Sequence, residues 1–402
     1  MRAKIGRWYA ASKSVDGKFS WKKKLLITLA ATLIVGLPVF AVATFGDLQN
    51  ISQPFGPNQA TATQATPMTA EEGAAFVGRS GDGTYVTQLS SAAFHSLALR
   101  SDGTIWGWGS NWAGQMGQGF RSLGNLTAFI VPEQIGTSSN WVYVHAGGQS
   151  SFAINEAGEL WAWGHNLHGL LGTGSSAPRV YFPERVGTST DWVSVTGHEL
   201  HRVGIKADGT LWSWGNGDFG RHGNGSIQHE SLPRQEVTYS ANWAMVAPGR
   251  DHVMAIQADG TLWGWGNPTN GRLGTLEPTT TTNSQRIPLQ IGTSDQWVYV
   301  ASGRDHSVGI KADGTLWTWG QRGPWHAQGT PYEHILEPTQ IGTSDQWVTA
   351  SIGDRHVLAV RTDGTLWSWG DGHDGKLGHG NQTTQRNAPV QVGTRTDWAS
   401  VA

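Results

Sequence analysis

The 402-residue sequence contains no cysteine, which excludes disulfides, thiolate metal sites and a cysteine nucleophile. Charge is also scarce. Asp, Glu, Lys and Arg make up 14% of the chain, well under the roughly 25% of an ordinary soluble domain, and this argues against a helical bundle, a coiled coil or a charged disordered protein. The charge present is unevenly placed: the first 24 residues carry eight Lys and Arg against one acid, Asp16, leaving 20 bases against 29 acids in the remainder. A body that acidic repels phosphate backbones, so nucleic acid is not an expected partner. The chain is instead rich in glycine and tryptophan, with 55 Gly and 22 Trp, a composition of many turns around an aromatic core.

Four regions follow one another. Residues 1–24 are basic, and residues 25–45, LLITLAATLIVGLPVFAVATF, have no charged side chain and follow Lys22, Lys23 and Lys24 directly. The apolar stretch is long enough to form a helix across a bilayer. Gly36 and Pro38 interrupt it, however, and Ala41-Val42-Ala43 fits a secretion signal cleaved after Ala43. Both readings lead to an exported body, secreted or periplasmic if cleaved and membrane-anchored at the cell surface if not, with membrane contact only through residues 25–45. Residues 46–83, rich in Thr, Pro and Gln, lack apolar periodicity and fit a flexible linker.

Residues 84–402 repeat one unit. SDGTIWGWG at 101–109 returns at 156–164, 207–215, 258–266, 312–320 and 362–370. The first tryptophans of these copies, Trp106, Trp161, Trp212, Trp263, Trp317 and Trp367, are spaced by 55, 51, 51, 54 and 50 residues. A second marker, a Trp followed by small and β-branched residues, starts at Trp141, Trp192, Trp243, Trp297, Trp347 and Trp398. Asp-Gly between two runs of alternating apolar residues is a β-hairpin signal, because both residues tolerate the positive φ of a type I′ turn. With an inner apolar strand such as WVYVHAG (141–147) and a Pro-containing strand such as VPEQIG (131–136), each unit has four short strands. Units of this size that cannot bury their aromatic face alone predict an all-β fold, a β-propeller of four-stranded antiparallel blades, with a linear β-solenoid as the alternative.

The combined pattern of Gly-x-x-His, Asp-Gly-Thr-Leu-Trp-x-Trp-Gly and Asn-x-x-Gly-x-x-Gly, as in GRDHSVGIKADGTLWTWG at 303–320, resembles the regulator of chromosome condensation repeat over residues 84–402. The resemblance implies a seven-bladed propeller, a founding member that exchanges nucleotide on a small nuclear GTPase, and secreted bacterial relatives that bind other proteins. The present chain looks like one of the bacterial, exported kind. Six hairpin markers are present, so either a final blade is missing or residues 398–402 close a six-bladed ring, preceded in both cases by the N-terminal apolar helix.

Candidate sites are few. His95, His201, His252, His306 and His356 recur once per repeat, which favours a structural contact over a ring of metal ligands; copy two has Ser150 in their place. His198, Glu199 and His201 in GHELHR (197–202) lack the i, i+4 helical spacing of a zinc site. No nucleophile-base pair and no phosphate-binding Gly-rich loop with Lys is present, so no catalytic residue, metal or cofactor is expected. Trp112 and Trp325 fall in loops, where each is either a binding anchor, for a protein or a cell-wall glycan, or a buried loop plug. The Gly-x-x-His turns bring Arg250, Asp251, Arg304, Asp305, Asp354 and Arg355 to equivalent places on three repeats. Insertions at 120–130 and 275–286 are further candidate recognition loops. The expected function is an exported, non-enzymatic scaffold binding an unidentified protein partner; the alternatives are a carbohydrate or cell-wall binding module and, by resemblance, a guanine-nucleotide exchange factor.

Overall fold

A computed structural model describes residues 83–119, 128–237, 242–275, 284–321, 323–327, 334–380, 385–399 and 401. They form six four-stranded antiparallel sheets. Blade 1 consists of β1 (Val86–Ser91), β2 (His95–Arg100), β3 (Ile105–Ser110) and β4 (Ala128–Gln134), hydrogen-bonded in that order. Blade 2 has β5 (Trp141–Gly147), β6 (Ser150–Asn155), β7 (Leu160–His165) and β8 (Arg179–Arg185), and blade 3 has β9 (Trp192–Thr196), β10 (His201–Lys206), β11 (Leu211–Gly215) and β12 (Glu230–Gln235). Blade 4 has β13 (Trp243–Pro248), β14 (His252–Gln257), β15 (Leu262–Gly266) and β16 (Gln285–Gln290). Blade 5 has β17 (Trp297–Ser302), β18 (His306–Lys311), β19 (Leu316–Gly320) and β20 (Ile335–Gln340), and blade 6 has β21 (Trp347–Ile352), β22 (His356–Arg361), β23 (Leu366–Asp371) and β24 (Gln385–Gln391).

Local chemistry explains why each repeat takes this form. In the hairpin of blade 5, Asp313 Oδ1 accepts from Thr315 N (3.0 Å) and Thr315 Oγ1 (2.7 Å), and Trp317 Nε1 donates to Thr315 Oγ1 (2.8 Å). Blades 1, 3, 4 and 6 repeat this chain of bonds, which makes the Asp a turn lock. Gly314 is doubly required, with φ +82° and a backbone oxygen, Asp345 O, only 1.9 Å from where a Cβ would sit. Each outermost strand carries a proline, Pro132, Pro183, Pro233, Pro288, Pro338 or Pro389, a residue tolerated at a sheet edge and unable to donate to an added strand.

Packing between blades rests on the second Trp of each W-x-W. Trp163, Trp214, Trp265, Trp319 and Trp369 are fully buried, and each indole N–H donates to a loop carbonyl of the preceding blade: Gln115, Leu170, Arg221, Arg272 and Trp325, at 2.6–3.1 Å. At roughly 150–250 Å² per indole and about 25 cal/mol per Å², each contributes up to about 4–6 kcal/mol of burial, and the bond removes the cost of an orphan donor. Trp108, the corresponding residue of blade 1, is only half-buried. The cores run across blades, one cluster joining blades 1 to 3 and another blades 4 to 6.

One expectation holds and one changes. The fold is the propeller and not the solenoid, with six blades described; Trp398 N donates to Gly364 O at 3.1 Å, as Trp347 N does to Gly314 O, but no strand follows it among the described residues. The N-terminal apolar helix is not supported. The only helices among the described residues are three-residue 3-10 turns, none is long and apolar enough to cross a membrane, and residues 25–45 lie outside the described ones.

Candidate functional site

Antiparallel order fixes two faces. One carries the β1–β2-type turns, which are the Gly-x-x-His segments, together with the β3–β4-type loops; the other carries the Asp-Gly hairpins and the connections between blades. On the first face the turns of blades 4, 5 and 6 touch in series. Arg250 N donates to Gly303 O at 3.3 Å, and a Cβ on Gly303 would lie 2.8 Å from Gly353 O.

Just beneath the turns, the repeated histidines link blades. His95 Nε2 meets Ser151 Oγ of the next blade at 2.8 Å, and His252 Nε2 meets Ser307 Oγ at 3.0 Å. The rule is that the first residue of a blade's second strand bonds the second residue of the next blade's second strand. Where copy two has Ser150, blade 3 answers with Arg202: its Nη2 donates to Ser150 Oγ (2.7 Å) and Gly147 O (2.6 Å), and its Nη1 to His201 O (2.8 Å) and His198 O. Arg202 is fully buried, and burial lowers its pKa to about 9. His201 and His306 face Val253 and Val357 in place of a serine, and both their ring nitrogens lack partners. Burial, reinforced by Arg202 at His95 and by Arg272 at His252, lowers the pKa of His95 and of His252 to about 3. Among the described residues no group of three or more His, Asp or Glu is arranged to hold a metal.

The six charged turn residues do not act alike. Asp251 pairs with Arg221, and Asp305 accepts from Arg272 Nη2 (2.6 Å) and Nε (3.0 Å). Both arginines come from the loop of the preceding blade, so these carboxylates staple blades together and are not free recognition charges. Arg221 and Arg272 were not singled out from sequence, although a signal existed: each lies seven residues past its blade's second Trp, Trp214 or Trp265. Arg250 is half-buried, Arg304 is 43% exposed with Nε 3.6 Å from Asp305, and Asp354 and Arg355 are exposed. Blade 3 inserts one extra residue in its turn and brings His198 into the same neighbourhood. Burial lowers the pKa of His198, Glu199 and Asp354 oppose the shift, and Arg202 and Arg250 add to it.

Of the two loop tryptophans, Trp325 is buried. It lies 5.1 Å from the His306 ring, and its carbonyl receives Trp369 Nε1, so it is an interior plug and not a binding anchor. Trp112 is 37% exposed, with Arg179 over its ring at 5.3 Å. Most of the two insertions, residues 120–127 and 276–283, lies outside the described residues.

The Regulator of chromosome condensation (RCC1) repeat matches residues 208–256, 259–310 and 363–402, and a second form of it matches residues 86–118 and 347–376. Ultraviolet-B receptor UVR8 of Arabidopsis thaliana is 28% identical over 246 residues, 60% of this chain and 54% of the receptor. Probable E3 ubiquitin-protein ligase HERC4 of Rattus norvegicus is 29% identical over 194 residues, 47% of this chain and 18% of the ligase. The chain therefore spans about half of the first relative and a small part of the second. Among solved structures, yeast RCC1 (Prp20) bound to Kap60 superposes with a TM-score of 0.68 at 23% identity, covering 77% of this chain and 75% of that one. Prp20p from Saccharomyces cerevisiae, described with its binding properties to Gsp1p and histones, gives 0.67 at 23%, covering 77% of each chain. At these identities the likeness to solved structures establishes the fold alone, a β-propeller, and RCC1 repeats are matched only over the residues given above.

These findings overturn the exported reading. The relatives and structural neighbours named above are eukaryotic proteins, not the bacterial, secreted relatives expected. With that go the secreted, periplasmic or cell-surface location, the signal and transmembrane assignments, the membrane partner and the exported scaffold. The cleavage after Ala43 and the span 25–45 fall outside the described residues. The cell-wall glycan partner is also withdrawn, since the structural neighbours are described with protein partners and Trp325 is buried.

Proposed function

We propose that this RCC1-repeat propeller is a nuclear, non-enzymatic protein-binding module that regulates a small GTPase by docking it on the face of its Gly-x-x-His turns. The observation that carries the reading is the serial contact of the turns of blades 4, 5 and 6, which gathers Arg250, Arg304, Asp354 and Arg355 on one rigid rim. A rim built from strand ends of separate blades is pre-organised, so little ordering entropy is lost on binding. Support also comes from yeast RCC1 (Prp20), described with Kap60, Gsp1p and histones as binding partners. The reading needs no catalytic group of the chain's own, because a partner held in its nucleotide-free shape exchanges nucleotide by population shift. Since Asp251 and Asp305 are engaged internally, Asp354 and Glu199 are exposed acids of this face, and Asp354 lies within the run of touching turns.

The test is release of a fluorescent GDP analogue from a panel of purified small GTPases. The propeller should accelerate release from at least one, and Asp354→Ala should slow that effect while Asp345→Ala, on the opposite face, leaves it unchanged. Failure to bind or accelerate any member would count against the reading.

A further inference from the structure

We propose that the face of blade 6 turned away from blade 5, together with Trp398 and Val401, is an open seat for a W-x-W β-hairpin of a second polypeptide, which completes a blade in trans. The seat does not depend on what docks on the Gly-x-x-His turns.

Five filled seats in the same molecule define what such a place takes. Each is built from the loop after a blade's third strand, and a carbonyl of that loop accepts the indole N–H of the second Trp in the next blade's W-x-W. Glycines make room for the ring: a Cβ on Gly117, Gly172, Gly223 or Gly274 would lie 2.8–3.2 Å from that indole. A Cβ on Gly220 or Gly271 would lie 2.6 or 2.9 Å from a Cα of the next blade's outer strand, Arg286 or Leu336.

Blade 6 builds the same loop and leaves it empty. Gly375, Lys376 and Gly378 stand where blade 4 has Gly271, Arg272 and Gly274. Gly378 keeps the left-handed φ of its counterparts, at +70°, yet only Val392 lies within 4 Å of its Cβ position, and nothing lies within 4 Å of the Cβ position of Gly375. Among the described residues no indole donates to the Lys376 carbonyl, the next in the series after that of Trp325.

Trp398 points to the same occupant independently. In blades 3 to 6 the first Trp of the inner strand, Trp192, Trp243, Trp297 or Trp347, meets both tryptophans of its own blade's W-x-W edge-on, with ring centroids 5.8–6.4 Å apart. Trp398 is placed as the next of these: its backbone N–H donates to Gly364 O as that of Trp347 does to Gly314 O. Val401, three residues on, is buried beside Val360 and Leu366, and Val300 and Ala350 are buried at the same spacing in blades 5 and 6. No W-x-W strand faces Trp398 among the described residues, and its indole N–H is buried without an acceptor.

The same residues exclude two other occupants. A complete blade brings its own inner strand, and Trp398 and Val401 already fill that place on blade 6. Blade 1, of this molecule or of a second copy, carries β1 there, so its half-buried Trp108 does not suit the seat. What fits is a segment with the second, third and outer strands alone, paired to the backbone beside Trp398 and anchored by its two indoles.

The experiment mixes the full chain with a fluorescently labelled peptide copying residues 356–391, which supplies those three strands, and follows anisotropy. Saturable binding is expected, weakened about tenfold or more by Trp369→Ala in the peptide and by Trp398→Ala in the chain. The peptide variant cannot unfold the chain, so it decides the matter even if Trp398→Ala lowers stability. Amide exchange should show new protection at residues 373–380 and 398–402. No binding, or binding indifferent to both replacements, would overturn the proposal, as would protection lost within residues 356–391 of the chain, the sign of a displaced native hairpin. Sedimentation of the chain alone separates the other occupants. Self-association abolished by Trp108→Ala gives the seat to a second copy, and a monomer that refuses the peptide leaves it to blade 1 of the same molecule; both results refute the hairpin in trans.

Discussion

Exchange of Ser150 and Arg202 for the residues that other blades use tests how the blades are joined. In blades 1 and 4 the joint is an imidazole and a serine of the next blade, whereas between blades 2 and 3 it is Ser150 and Arg202. Arg202→Ser deletes four charge-assisted bonds, to Ser150 Oγ and the carbonyls of Gly147, His198 and His201. At about 1.5–3 kcal/mol each, that is a gross loss of about 6–12 kcal/mol. Relief of the buried charge offsets part of it: burial lowers the guanidinium pKa from its ordinary value to about 9, a cost on the order of 5 kcal/mol. The net destabilisation should be about 1–7 kcal/mol, which brackets the roughly 3–5 kcal/mol typical of broken buried charge networks. Ser150→His alone, which sets an imidazole against the guanidinium, should also destabilise. The double variant rebuilds the joint of the other blades and should recover to within about 1.5 kcal/mol of the parent, giving a favourable coupling of about 2 kcal/mol or more. Urea unfolding followed by tryptophan fluorescence on all four proteins measures it. Additive losses in the double variant would refute the idea that these positions form one exchangeable joint.

Other outcomes follow from the same structure. Val253→Thr and Val357→Thr, which keep the buried volume of residues sealed in the core, should each supply a hydroxyl to a partnerless imidazole, His201 or His306, and so destabilise less than Val253→Ala or Val357→Ala by about 0.5–1.5 kcal/mol, read from the urea midpoint. Arg221→Ala, which leaves the Asp251 carboxylate without its buried partner, should cost about 3 kcal/mol, whereas exposed Arg355→Ala should cost under about 0.5 kcal/mol, compared by thermal melts. His95, His145 and His252 have folded pKa values of about 3 against 6.5 unfolded, through burial first. The unfolded chain therefore binds protons that the folded one refuses. Stability should be full above pH 6.5 and fall on acidification toward pH 3, by about 1.4 kcal/mol per pH unit per histidine; urea midpoints level between pH 7 and 4 would contradict this. Amide exchange should be faster in blade 1, whose Trp108 is half-buried, than in blade 4, whose Trp265 is sealed.

The blades were legible in the sequence because hairpin chemistry is local. Asp, Gly, Thr and Trp within five residues form one hydrogen-bonded unit, and its recurrence counts the blades. The charged turns were legible as positions but not as roles. Asp251 and Asp305 look like recognition charges until the loops of the preceding blades bring Arg221 and Arg272 against them, a contact spanning 30 or 33 residues. Trp325 shows the same limit: a loop position alone leaves anchor and buried plug both open, and it is the preceding proline and the 3-10 turn Pro324–His326 that tuck it against His306. Location was misread because a basic and apolar N-terminus carries no information on the rest of the chain's relatives.

The most direct test of the docking reading is the affinity of the full chain for nucleotide-free small GTPases, by biolayer interferometry, with the parent, with Arg304→Ala combined with Asp354→Ala on the turn face, and with Asp345→Ala on the hairpin face. A GTPase that binds the parent and the Asp345 variant alike but the turn-face variant at least about tenfold more weakly is the predicted result. Binding equal across all three, or to none, would contradict it.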